Sequence, residues 1–152
     1  MTSIFSLLGD EPVAERIGSL RELNSLNLIV LDFAPESDPA EWVYEGASRL
    51  VRHFRAQSES GAFTRNRQLV IATFASPSTD EQIVHRAATV QSLRGIIQSV
   101  TREFAHRLEP LNFVAVDRDA LDKLTSTLDY LDAPDGGYTA GFTFDLEQEK
   151  SA

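Results

Sequence analysis

The chain has 152 residues, 42% hydrophobic and 24% charged, enough for one domain with its own core. With 23 acids against 14 bases, the formal charge of −9 repels phosphate backbones and argues against nucleic-acid partners. There is no cysteine, so disulfides, thiolate catalysis and cysteine-ligated metal are excluded. No apolar run reaches the roughly 20 residues of a membrane span, and the acid-containing start MTSIFSLLGDEPVAERIG is a poor signal peptide; a cytoplasmic protein is expected.

In chain order, Ile4–Leu8 is a short apolar run, and Pro12 suits the first turn of a helix carrying Val13, Ile17, Leu20 and Leu23. LNLIVLDF, Leu26–Phe33, is a nearly continuous apolar run of strand length, as in a parallel sheet buried on both faces. Asp38 and Pro39 open a helix bearing Trp42, Ala47, Leu50, Val51 and Phe54. Its basic stretch, Arg49, Arg52, His53 and Arg55, reads as a solvated face. Leu69–Thr73 is the next strand, with Ser76–Thr79 as a loop and cap.

From Asp80 the longest periodic stretch runs through Ile83, Ala87, Val90, Leu93, Ile97, Val100, Phe104 and Leu108 until Pro110. This predicts a helix roughly 40 Å long at 1.5 Å per residue. Asn112–Val116 is a strand, Asp119–Leu131 a helix and Phe142–Leu146 the last strand, with 147–152 as a tail after a single domain over 1–146. The alternation predicts an α/β fold: a parallel sheet of about five strands flanked by helices.

RQLVIAT followed by SLRGIIQSVTREFAHRLEPLNFVAV resembles the fifth strand, catalytic helix and sixth strand of the short-chain dehydrogenase/reductase family. The ending LDYLDAPDGGYTAGFTFDL is similar to that family's closing segment; Tyr138 and Gly141 match its Tyr-x-Thr-Gly turn, with Ala140 in place of Thr. Leu23–Ala34 resembles the fourth strand, which in the family ends in Asn-Asn-Ala-Gly. The match runs in order from about residue 4 to 146. It implies an incomplete Rossmann-like sheet lacking the family's first two strands, with the chain starting at the third.

Measured against the family, working parts are missing. The Gly-rich phosphate turn has no equivalent in Gly9-Asp10-Glu11. The positions of the family's Ser, Tyr and Lys hold Thr73, Arg86 and Val90; a one-residue shift offers His85 and Thr89 instead. Arginine is no general acid near neutrality. None of Glu45–Arg49 is the family's helical Asn, and the substrate loop before Asp119–Leu131 is nearly gone.

The resemblance therefore implies a pseudoenzyme without catalytic or cofactor-binding residues. The expected role is a dimerising or regulatory subunit, as a homodimer or paired with a full-length short-chain reductase. In the family two long helices pair across subunits, so Leu50, Phe54, Leu93, Ile97, Val100 and Phe104 are interface candidates. The alternatives are a residual NAD(P)-dependent oxidoreductase completed by a partner, and a small-ligand module using a cleft near Phe33, Thr73 and Asp117.

Other readings rank lower. Asp80, His85 and Thr73 form a conceivable triad, but His85 beside Arg86 reads as a surface residue. His53, His85 and His106 lack metal-ligand spacing, so no metal is expected. Ser76, Ser78 and Thr79 have the composition of an anion-holding helix start, although a cap is the simpler reading. Tyr138 reads as packed structure, and Trp42 as core or interface. Ile4–Leu8 is expected beside Leu28–Phe33, closing a right-handed βαβ unit through helix 12–24.

Overall fold

The computed structural model describes residues 2–9, 11–61, 66–104, 108–134 and 140–146. Asp10, His106, Tyr138 and the tail 147–152 lie outside the described residues. Five strands form one parallel sheet in the order β1 (Ile4–Leu8), β2 (Leu26–Phe33), β3 (Arg67–Phe74), β4 (Leu111–Asp117), β5 (Thr143–Leu146). Four helices connect them: α1 (Glu11–Gly18), α2 (Trp42–Ser60), α3 (Asp80–Glu103) and α4 (Leu124–Asp132). The parallel α/β fold and the pairing of the first strand with β2 are as the sequence predicts.

β2, β3 and β4 are buried on both faces, which explains their nearly continuous apolar runs. Alternate side chains divide the core in two. Leu28, Val30, Leu69, Ile71, Val114 and Val116 face α1 and α4. Ile29, Leu31, Val70, Ala72, Phe113 and Ala115 face α2 and α3. On this second face Phe33 stacks on Phe74 at 4.8 Å, and Trp42 tilts against Phe74 at 5.6 Å, so Trp42 is core. Gly46 lets α2 approach there: a Cβ would lie 2.8 Å from the Phe33 ring.

This division has a topological consequence. Every connection steps one strand in the same direction, yet two helices cover each face. Crossovers on opposite faces of such a sheet have opposite hands, so a uniformly right-handed winding is ruled out.

The ends of α2 and α3 obey their local signals. The Asp38 side chain accepts from the Ala40 N–H at 3.0 Å, with Pro39 at the first position of a short 3-10 turn leading into α2. Thr79 caps α3, accepting from the Gln82 N–H at 3.1 Å. The expected α3 stripe is corrected in its first half. The buried positions are Arg86, Thr89, Leu93 and Ile97, while Ile83 and Ala87 are exposed.

At the amino ends of the strands, Asp132 is the fastener. Its carboxylate accepts from the Ser25 N–H at 2.8 Å and the Asn24 N–H at 3.0 Å, and lies 3.5 Å from Arg21. Arg67 donates to the terminal carbonyls of α4, Leu131 at 2.7 Å and Ala133 at 2.6 Å. Burial alone would raise the Asp132 pKa, but bonds from Asn24 and Ser25 and the charge of Arg21 hold it below its ordinary value. His53 is half-buried, 5.1 Å from Phe5 and 2.9 Å from the Gln57 amide, and burial lowers its pKa.

Both groups bind protons more weakly in the folded chain, so stability falls as pH drops. Loss begins below His53's ordinary 6.5 and continues below Asp132's ordinary 3.8. Melting temperature followed from pH 8 to 3 should fall in two stages. His53→Gln should flatten the upper stage and Asp132→Asn the lower. Asp132→Ala should cost about 2–3 kcal/mol in urea denaturation at pH 7.

Candidate functional site

In a parallel sheet the carboxyl ends of the strands deliver side chains to one edge, where helices begin and ligands are usually held. Here β2 ends with Asp32 and Phe33, β3 with Thr73 and Phe74, and β4 with Asp117 followed by Arg118. Two charged groupings are built from them.

The first surrounds Asp32, which is 1% exposed. Thr73 donates its hydroxyl to Asp32 Oδ1 at 2.7 Å, and Arg118 Nε donates to the same oxygen at 2.8 Å. A second Arg118 nitrogen bonds Oδ2, completing a bidentate pair. Gly9, at φ +88°, closes over this carboxylate; a Cβ there would lie 2.5 Å from Asp32 Cβ. Glycine is required at that turn both for its left-handed backbone and for the close approach.

The second surrounds Arg86, which is 5% exposed. Its guanidinium stands 5.0 Å from the centroid of the Phe74 ring. Nη2 lies 3.0 Å from Asp145 Oδ1 and 3.3 Å from Asp117 Oδ1, so one residue of α3 ties together β4 and β5.

The structure therefore brings Thr73 and Arg86 to the strand ends but engages each within the chain. Val90 packs half-buried against the α2–α3 side of the core. In the alternative register, Thr89 is buried and donates to the His85 carbonyl at 2.6 Å, while His85 lies 3.9 Å from Glu81. The triad of Asp80, His85 and Thr73 is not assembled, because the Thr73 hydroxyl is directed to Asp32. Among the described residues no three His, Asp or Glu side chains are grouped to hold a metal. At the start of α3, Gln82 accepts from the Ser78 N–H at 2.8 Å, and the loop is closed by its own cap.

The interface candidates need a correction. Leu50, Phe54, Leu93 and Ile97 are buried against this chain's own sheet, because they lie on the inward stripes of α2 and α3. Val100 and Phe104 are partly buried near the end of α3. On the outward side of the same helices large apolar side chains reach solvent, with Tyr44 70% exposed, Val84 64%, and Val51 and Ile83 also exposed; Ile4, Phe5, Tyr130 and Phe142 are exposed elsewhere.

Sequence reasoning missed Asp32, Arg118 and Asp145. A signal existed, since an acid ending a buried apolar strand, as in LNLIVLDF and LNFVAVD, demands a counter-ion nearby.

Two clefts remain at this edge. One of about 300 Å³ lies over Gly9 and Phe33, bounded by Leu8, Trp42 and the acids Asp38, Glu41 and Glu45. Another of about 770 Å³ lies on the α1–α4 side, lined by Arg16, Ser19, Arg118, Asp119 and Asp122. The family's dinucleotide needs backbone amides and positive potential for its pyrophosphate. The cleft over Gly9 supplies one glycine and carboxylates, and the guanidinium of Arg118 below it is already held by Asp32. These residues do not fit that group.

No family model and no curated protein matches the sequence. Among solved structures, the fold is similar to BdcA (YjgI) from E. coli, with TM-score 0.55 and 15% identity over 94% of this chain and 83% of that one. It is also similar to 4-hydroxyisoleucine dehydrogenase complexed with NADH and succinate, with TM-score 0.53 and 11% identity over 95% of this chain and 97% of that one. The shared property is the fold, a Rossmann-like arrangement found in a dehydrogenase. No helix among the described residues is long and apolar enough to cross a membrane.

Removing Arg86 tests the second grouping. Arg86→Met should destabilise the chain by about 3–5 kcal/mol, because Asp117 is left charged and buried. Adding Asp117→Asn should recover part of that loss in a double-mutant cycle read by urea denaturation.

Proposed function

We propose that this protein is a non-catalytic relative of the short-chain dehydrogenases that works by association. It acts as a homodimer, or as a subunit docked on a full-length reductase, through the outer faces of α2 and α3. The observation that carries the non-catalytic reading is the use of Thr73 and Arg86 in buried polar bonds. A hydroxyl given to Asp32 and a guanidinium between two acids leave no proton relay where the family has one. With the unsuitable cleft over Gly9, this favours a protein that does not use NAD(P).

The surface supports association. α2 and α3 both descend from the carboxyl edge of the sheet, so they run in the same direction. A two-fold axis across them would set the partner's helices antiparallel. The later half of α2, with Val51, Arg52 and Arg55, would then face the early half of the partner's α3. That half presents Asp80, Glu81 and Val84, so apolar groups meet and opposite charges pair. A groove of about 680 Å³ along α2, lined by Val43, Tyr44, Ala47 and Val51, gives the contact a receiving surface.

Size-exclusion chromatography with light scattering should give a dimer mass at micromolar concentration. Val51→Glu with Val84→Glu should raise the dimer Kd about 100-fold, leave the circular dichroism unchanged and weaken the concentration dependence of the melting temperature. A wild-type monomer at every concentration that also ignores full-length reductases would sink the associative reading. Calorimetric binding of NADH would instead support the residual oxidoreductase.

A further inference from the structure

Among the described residues β1 has β2 on one side and no strand on the other. Ile4 is 44% exposed and Phe5 36%, whereas every residue of β2 and β4 is buried. The ladder fixes which backbone groups of β1 face out. Ile4 is the register partner of Leu28, and the Leu28 N–H donates to the Ser3 carbonyl at 2.9 Å. Backbone groups alternate between the two sides of a strand, so Ser3 and Phe5 turn theirs to β2 while Ile4 and Ser6 turn theirs outward. No side chain or loop of the described residues bonds those outward groups. The pairing is regular over Ile4–Ser6, and the bulge falls only between Ser6 and Leu8.

Edge strands usually carry a charge, a proline or a cover that blocks pairing with another chain. The run TSIFSLL, Thr2–Leu8, has neither charge nor proline, whereas the other edge strand, β5, carries Asp145. The free edge fits a second copy of itself. Its outward residues stand one step to either side of Phe5, so a two-fold axis through Phe5 sets Ile4 of each copy opposite Ser6 of the other. Each such pair exchanges two backbone hydrogen bonds, and Phe5 meets its counterpart at the close, non-hydrogen-bonded position. Phe5 already lies 5.1 Å from His53 of α2, so the contact covers an aromatic group that the chain alone leaves half open. Charge permits the approach: the molecule carries −9, but neither strand brings an acid, and Arg49 reaches the Leu7 carbonyl at 3.4 Å.

We propose that β1 pairs antiparallel with β1 of a second copy, joining the two sheets into one. This goes beyond the contact proposed for α2 and α3, since it uses the strand edge; two different isologous contacts carry assembly past the dimer. A few backbone bonds and the side chains of Ile4 and Phe5 make a small interface, with a Kd of roughly 100 µM.

The chain has no cysteine, so introduced cysteines report the register. Across the axis the two Phe5 Cα atoms lie about 4.5 Å apart, within disulfide reach, whereas Ser6 and its counterpart lie about 7–8 Å apart on a diagonal. In a glutathione redox buffer, Phe5→Cys should form a disulfide-linked dimer on non-reducing gels about tenfold faster than Ser6→Cys. A mixture of Ile4→Cys and Ser6→Cys should favour the mixed dimer over either homodimer by mass spectrometry. Both of those positions are exposed, so this pair decides the matter where loss of Phe5 disturbs the fold. Adding Val51→Glu and Val84→Glu should leave the cross-link in place, which separates this contact from the one on the helices. Equal or negligible rates for Phe5→Cys and Ser6→Cys, a statistical mixture of dimers from Ile4→Cys and Ser6→Cys, or loss of the cross-link in the double glutamate background would each overturn the proposal.

Discussion

Arg86 is held between Asp117 and Asp145 above the ring of Phe74, and the upper half of the molecule is arranged around that contact. The guanidinium comes from α3, one carboxylate from β4 and the other from β5, so a single group sets three elements relative to one another. A buried ion pair is often no more stabilising than an apolar replacement of the same shape, but losing one member is costly. The grouping is consequently insensitive to drift at its surroundings and sensitive to change at its members. Asp32, Thr73 and Arg118 repeat the same logic one strand away, at the end of β2.

The sheet itself explains why these groups meet at all. Parallel strands in sequential order bring all their carboxyl ends to one edge, whatever residues stand there. The helices are then distributed two to a face, with the long pair α2 and α3 together and the short pair α1 and α4 opposite. That division gives the two faces different character. The long pair covers most of its face and exposes apolar residues outward; the short pair leaves the larger cleft between α1 and the turn before α4.

Much of this was legible. β2 coincides with the run LNLIVLDF because a strand buried on both faces is apolar almost throughout, Asn27 and Asp32 being its two polar positions. Asp38-Pro39 marked the entry to α2 because cap chemistry is local. What periodicity could not give was the inward face of α3. An apolar stripe through Ile83 and Ala87 fits helical spacing as well as the true one through Arg86 and Thr89. Only the acids of β4 and β5, distant in sequence, make an inward arginine tolerable. Four of the six interface candidates went to the core for a related reason. An inward and an outward apolar residue have the same hydropathy, and the sheet claims Leu50, Phe54, Leu93 and Ile97 first.

The crevice and its charge have separate origins. The crevice follows from sequential strands whose connections leave on opposite faces of the sheet, whatever side chains stand at the strand ends. Its electrostatic sign is set by a few side chains at the strand ends and helix starts. Dinucleotide binding requires that sign to be positive, or at least made of bare amides. In this chain Asp38, Glu41 and Glu45 make it negative, while Gly9 supplies the close turn without the further glycines that would expose amides. A sheet of this kind can therefore keep the outline of a dehydrogenase fold while its crevice carries acids where bare amides would hold a phosphate. The sign of the potential comes from side chains at the rim, and shape alone does not reveal it.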